Sequence, residues 1–137
     1  MLSNAVDDLL RREADIALRM TEPVQDVLVA QRLPSIELGL FAHRDYLAHR
    51  PAPTSMAGLA DHDVIGFDHE TPPLRVLVRR FPALDRSKFA LRTDSDIAQL
   101  AAIRAGCGVG MCQLTVAKRD PALMRVLPKL VSVKLGL

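Results

Sequence analysis

Residues 89–114 read FALRTDSDIAQLAAIRAGCGVGMCQL, and their pattern decides the fold class. Residues 89–92 alternate apolar and polar, the period of a half-buried strand. Thr93, Asp94, Ser95 and Asp96 then supply four consecutive candidate N-caps. Asp96 with Gln99 three residues later fits a capping box. From Ile97 to Ala105 only Gln99 and Arg104 are polar, and Ile97, Leu100, Ala101 and Ala105 share one face at helical spacing. The spacing predicts a helix packed through that face. Gly106 stands where a left-handed C-cap residue belongs, and Gly108 and Gly110 return the chain to a buried strand over residues 109–114.

A strand feeding a capped helix is also a place for a ligand. The free N–H groups of a helix's first turn, with its dipole, attract anions. In open α/β sheets, ligands bind beyond the carboxyl ends of the strands. Thr93 to Asp96 is therefore the first choice for a small-molecule contact, against the plainer reading in which these side chains only cap the helix.

Working outward, the 137 residues suffice for one domain with a core, and 49% apolar with 25% charged residues is ordinary for a globular protein. A net charge of +2 is too small to argue for nucleic-acid binding, and the absence of Trp with only 4% aromatics leaves no base-stacking platform. No apolar run reaches the length of a membrane span, and MLSNAVDD lacks the layout of a signal peptide, so a cytoplasmic location is expected, without membrane contact. Cys107 and Cys112 read as two buried thiols. His43, His49, His62 and His69 show no metal-ligand spacing, and Asp61-His62-Asp63 reads as a solvated turn. No metal and no cofactor are expected. Gly106, Gly108 and Gly110 follow a helix rather than a strand, so they form a turn and not a dinucleotide fingerprint. No Gly-x-Ser-x-Gly elbow exists, and no nucleophile, base and oxyanion site assembles, so no enzyme activity is expected.

From the N-terminus, residues 5–13 suit a short amphipathic helix, and residues 15–20, 27–33 and 36–42 suit strands. Residues 44–49 form a short helix ended by Pro51 and Pro53, and Thr54-Ser55 caps another over residues 56–60. Residues 64–67, VIGF, make a short buried strand. Residues 74–81 fit either helix or strand. A helical turn over residues 115–118 is broken by Asp120-Pro121, and residues 131–135 alternate as a last strand. Strands alternating with helices define an α/β architecture.

Three blocks carry a family likeness: DLLRREADIALRM, LGLFAHRDYLAHRPAPTSMAGLADHDVIGF and LRTDSDIAQLAAIRAGCGVGMCQLTVAKRDPALMRVLP. Together they resemble the effector-binding domain of LysR-type transcriptional regulators, over residues 2–128. The resemblance implies a fold similar to a type 2 periplasmic binding protein, two α/β subdomains with a small-molecule effector in the cleft between them. It implies that residues 1–35 are part of subdomain I and its crossover. Residues 36–113 would then be subdomain II, and residues 114–137 a return segment toward subdomain I. Effector binding would alter the arrangement of subunits in an oligomer. DNA would be touched only through the family's N-terminal helix-turn-helix, which these residues do not include. Thr93, Asp94 and Ser95 match the polar turn of subdomain II that faces effector, and Asp94 suits an effector hydroxyl or amine better than an anion. Arg19 would reach the cleft from subdomain I as a carboxylate clamp, or else sit in a surface ion pair. Phe67 and Asp68 end the VIGF strand at the same edge, with Phe67 a ligand contact or a core residue. The alternative is a solute-binding protein of a transporter, which shares the fold.

Strands lacking from a complete effector domain would leave sheet edges uncovered, so a homodimer or larger species is expected. Light scattering at micromolar concentration checks this; a monomer there would contradict it.

Overall fold

The computed structural model describes Gln31 and residues 33–135. The expected helix over residues 5–13, the strand over residues 15–20 and the clamp residue Arg19 lie outside the described residues. So does most of the strand expected over residues 27–33, whose described members, Gln31 and Leu33, have no regular structure. Ile36–Lys134 forms one compact unit.

Its frame is a sheet of strands β1 (Ile36–His43), β2 (Val64–Gly66), β3 (Phe89–Arg92), β4 (Val109–Gln113), β5 (Leu123–Val126) and β6 (Val133–Leu135). The strand order is β3-β2-β4-β1-β5, with β6 pairing to β1. β2 runs parallel to both neighbours, with Ile65 opposite Leu91 on one side and Gly110 on the other. β1 is antiparallel to β4 and β5, so that Leu40 faces Met111 and Val126.

Both faces of the sheet are covered. The helices are α1 (Arg44–His49), α2 (Pro72–Arg80), α3 (Asp96–Arg104) and the single turn α4 (Leu114–Ala117). Side chains alternate between faces along each strand. Leu40, Ala42, Val64 and Val109 join one core with Leu77 of α2, Phe81 and Leu84. Phe41, Ile65 and Cys112 join the other with Ile103 of α3 and Ala117 of α4. Consecutive crossovers therefore run on opposite faces: β2 reaches β3 through α2, and β3 reaches β4, on the far side of β2, through α3.

Residues 74–81, open to either reading from sequence, are helical as far as Arg80. Leu74, Leu77 and Val78 sit half-buried and Phe81 is buried, while Val76 is 66% exposed. Pro72 is compatible with the first turn, where no N–H partner is needed. Arg79 and Arg80 complement the dipole at the other end.

The buried face of α3 differs from the expected one. Gln99 and Ile103 are buried, with Leu100 and Ala102 half-buried, whereas Ile97 is 71% exposed and Ala101 and Ala105 are exposed. Apolarity nearly all round the helix leaves no polar stripe to fix the rotation, and the contact of Ile103 with Gly110 fixes it instead. Two further expectations are corrected. Cys107 is exposed, because it follows the helix's closing turn, and only Cys112 is buried. Asp61-His62-Asp63 is no simple solvated turn: Tyr46 Oη pairs with His62 Nδ1 and accepts from Asp63 N, Asp63 pairs with Arg50 at 2.8 Å, and Asp63 O accepts from Val109 N.

Two glycines close α3 as the sequence implies. Gly106 has φ +74°, its N–H reaches Ile103 O, and Cys107 N–H reaches Ala102 O, the paired bonds of a Schellman ending. At Gly108, φ +154°, a Cβ would lie 2.1 Å from Asp63 O, the atom that starts the β2–β4 pairing. Gly106→Ala should cost about 1 kcal/mol from backbone strain alone. Gly108→Ala should cost distinctly more, because a backbone must also move. Urea melts of both variants check the order; equal losses would contradict it.

Candidate functional site at the ends of β2 and β3

β2 ends at Gly66 and β3 at Arg92. The two strands are parallel neighbours, and the chain leaves them toward opposite faces of the sheet. Such a divergence opens a crevice beyond the carboxyl ends of the strands, the usual ligand position of an open α/β sheet. Thr93 N–H donates to Gly66 O at 3.0 Å, carrying the pairing to the lip of the crevice.

Two turns line it, Phe67-Asp68-His69 after β2 and Thr93-Asp94-Ser95 after β3. The Asp94 carboxylate spans them. One oxygen accepts from Asp68 N–H at 3.0 Å and from His69 N–H at 2.9 Å, and the other pairs with His69 Nδ1. These hydrogen bonds, the backbone one to His69 above all, hold the Asp94 carboxyl below its ordinary range. The Asp94 carboxylate, by hydrogen bond and charge, in turn raises the His69 pKa. Asp68 is steadied by Arg86, whose guanidinium meets its carboxylate at 3.2 Å and its carbonyl, and by Arg92 at 3.8 Å.

Ser95 is the N-cap of α3, its Oγ accepting from Ala98 N–H at 3.2 Å, and Thr93 Oγ1 accepts from Ser95 N–H at 3.3 Å. The capping box expected between Asp96 and Gln99 does not form. Ser95 takes the cap, so Gln99 falls one position too deep in the helix and turns inward. It is 2% exposed, and its Nε2 donates to Thr93 O at 2.8 Å. Gln99 thus holds the turn after β3 from beneath, while Asp94 holds it from the side.

Thr93, Asp94, Ser95 and Phe67 are therefore brought together at one edge. Asp94 is occupied by the protein's own donors, which makes it a latch between the turns. The hydroxyls of Thr93 and Ser95 accept from backbone and each retains a proton to donate. His69, Gln99 and Arg86 were not singled out from sequence as part of this site. Gln99 had a signal, as an uncharged polar residue inside an apolar helix. His69 and Arg86 had none, since their partners are distant in the chain.

Among the described residues, Asp68, His69 and Asp94 could gather around a metal ion, with one donor atom each within 4.8 Å of the others. The pairing of Asp68 with Arg86 and Arg92, and of Asp94 with three N–H groups, supplies the positive partners a cation would otherwise provide. The cluster is a hydrogen-bonded latch.

Fold and crevice together define an α/β domain with an opening beyond the carboxyl ends of two parallel strands. Residues 2–136 match the family described as LysR substrate binding domain, and the chain belongs to that family. Its fold is that of LysR regulatory domains, similar to type 2 periplasmic binding proteins. The regulatory domain of CrgA, a LysR-type transcriptional regulator from Neisseria meningitidis, aligns over 93% of this chain and 66% of its own, at 23% identity and a TM-score of 0.76. Full-length AphB, a Vibrio cholerae virulence activator, aligns over 99% of this chain and 48% of its own, at 23% identity and 0.73. The AphB regulatory domain from Vibrio vulnificus aligns over 82% and 59%, at 19% identity and 0.58. The chain spans less than two thirds of each of these proteins, and the likeness is one of fold. No curated protein sequence matches the chain.

The Asp94–His69 latch has a pH signature. A lowered Asp94 pKa contributes stability that is present above the unfolded carboxyl value and lost as pH falls through the folded one. A raised His69 pKa contributes stability that is present below the unfolded imidazole value and lost as pH rises through the folded one. The gap in melting temperature between wild type and His69→Asn should therefore be widest in mildly acidic solution and narrow toward both ends. A gap independent of pH would contradict the latch.

Proposed function

We propose that this chain is the sensory part of a LysR-type regulator, binding a small-molecule effector in the crevice between the turns after β2 and β3. The observation that carries this reading is the pair of polar turns, latched by Asp94, where two parallel strands send the chain to opposite faces. Thr93 and Ser95 donate hydroxyl protons to the effector. Phe67 packs against its apolar part. Asp94 positions the turns and receives any effector hydroxyl or amine only beside its existing partners. Arg19, which lies outside the described residues, is assigned as a clamp for an effector carboxylate on the family resemblance.

The role is recognition rather than catalysis, since the crevice hydroxyls serve as turn and helix caps. In this reading the sensor works in the cytoplasm as a homodimer or larger assembly, and DNA is contacted by a helix-turn-helix outside these residues. No helix among the described residues is long and apolar enough to cross a membrane.

The test is a thermal-shift screen of the purified chain against small metabolites, followed by titration of the strongest binder. Thr93→Val and Ser95→Asp each remove a hydroxyl proton, and Ser95→Asp keeps an N-cap acceptor so that α3 still forms. Each should weaken binding by about tenfold, the loss of roughly one hydrogen bond. Unchanged affinity in both variants would contradict the assignment.

A further inference from the structure

A second space lies beside the turn after β2. An apolar cavity of about 50 Å³ lies between α2 and the sheet. Leu74, Leu77 and Val78 of α2 form its roof, and Leu40 and Met111 of the sheet form its floor. Phe67, His69 and Gln99 also line it. These three tie it to the crevice: Phe67 and His69 belong to the turn after β2, and Gln99 holds Thr93 O at 2.8 Å. The cavity thus abuts the turn after β2, one of the two turns of the crevice. At the outer end His69, Glu70 and Arg86 are exposed, whereas Leu40 on the floor is buried. One glycine shapes the wall. A Cβ at Gly66 would fall 2.1 Å from the Phe89 ring, so the bare backbone lets that ring lie across the end of β2 and border the cavity.

We infer that the effector is a small amphiphile, with a hydrogen-bonding head at Thr93 and Ser95 and a short unbranched alkyl tail in the cavity beneath α2. This rests on the reading of the polar turns given above and adds the chemistry of the ligand. Size sets the tail. An apolar cavity of roughly 150 Å³ holds benzene, so one of about 50 Å³, a third of that, suits a chain of a few carbons better than a ring. Polarity sets the rest. The aliphatic roof and floor give a second hydroxyl or a charge no partner, and burying either without one is unfavourable. The head is assigned to the hydroxyls of Thr93 and Ser95, in the turn that Gln99 joins to the cavity through Thr93 O.

The test uses the chain labelled with ¹³C at its methionine methyls and ¹⁵N at its amides, titrated with primary alkan-1-ols as probes. Met111 reports the cavity, and Met124, 48% exposed on β5, reports solvent. Butan-1-ol should shift Met111 along a saturating curve, with the amides of residues 93–97 following the same curve and Met124 unmoved. Propan-1-ol should bind roughly fourfold more weakly, the worth of one buried methylene. Butane-1,4-diol should not saturate Met111. Val78→Leu, which fills the cavity from its roof without strain on the fold, should weaken butan-1-ol at least fourfold while the melting temperature holds or rises. A Met111 signal that stays still, or moves no differently from Met124, overturns the subsite. A Met111 signal that saturates while the amides of residues 93–97 stay still overturns the head-group assignment instead. The two failures are therefore separable.

Discussion

The carboxylate of Asp94 is the interaction on which the candidate site depends. Parallel strands can be joined only by long crossovers, so the turns after β2 and β3 are remote in sequence and free to diverge. Nothing in the sheet ladder extends beyond Thr93 N–H to hold them in register. Asp94 supplies that hold by accepting the N–H groups of Asp68 and His69, residues 26 and 25 positions away. Charge-assisted hydrogen bonds to two successive amides fix direction as well as distance. The crevice is thus built before a ligand arrives, and less ordering is left for binding to impose.

The rest of the unit makes that placement rigid. β2 is buried along its whole length and paired on both sides by parallel strands. Its alternating residues lock into separate cores, Val64 beneath α2 and Ile65 against α3. Helices on both faces hold the strand ends in place, and those ends carry the site. The loops keep polar groups at the crevice because the burial that stabilises the unit lies in the sheet beneath them. Gln99 is the one buried polar residue among the described residues, and it satisfies Thr93 O from inside the helix.

Much of this was legible in the sequence for a local reason. The strand at residues 89–92, the cap, the helix and the glycine turn each follow from neighbours within a few positions, so period and cap chemistry suffice. The family likeness added the fold and the position of the polar turn. Helix rotation was not legible, because α3 is apolar almost all round and only its contact with Gly110 decides which side is buried. Nor was the partnership of Asp94 with His69, since no spacing rule joins turns after different strands. The histidine had been weighed only as a metal ligand. The cavity beneath α2 was hidden for the same reason: its roof comes from α2 and its floor from β1 and β4, and whether residues 74–81 were helix or strand was open. A strand there would have left no roof.

The central claim is that this crevice receives a small molecule. Hydrogen–deuterium exchange tests it most directly, comparing the purified chain with and without the small-molecule fraction of a cell extract. The account predicts slower exchange confined to the amides of residues 67–71 and 93–98, the two turns and the helix start they lead to. Exchange unchanged there, or slowed only at α1 and the far ends of the strands, would contradict it.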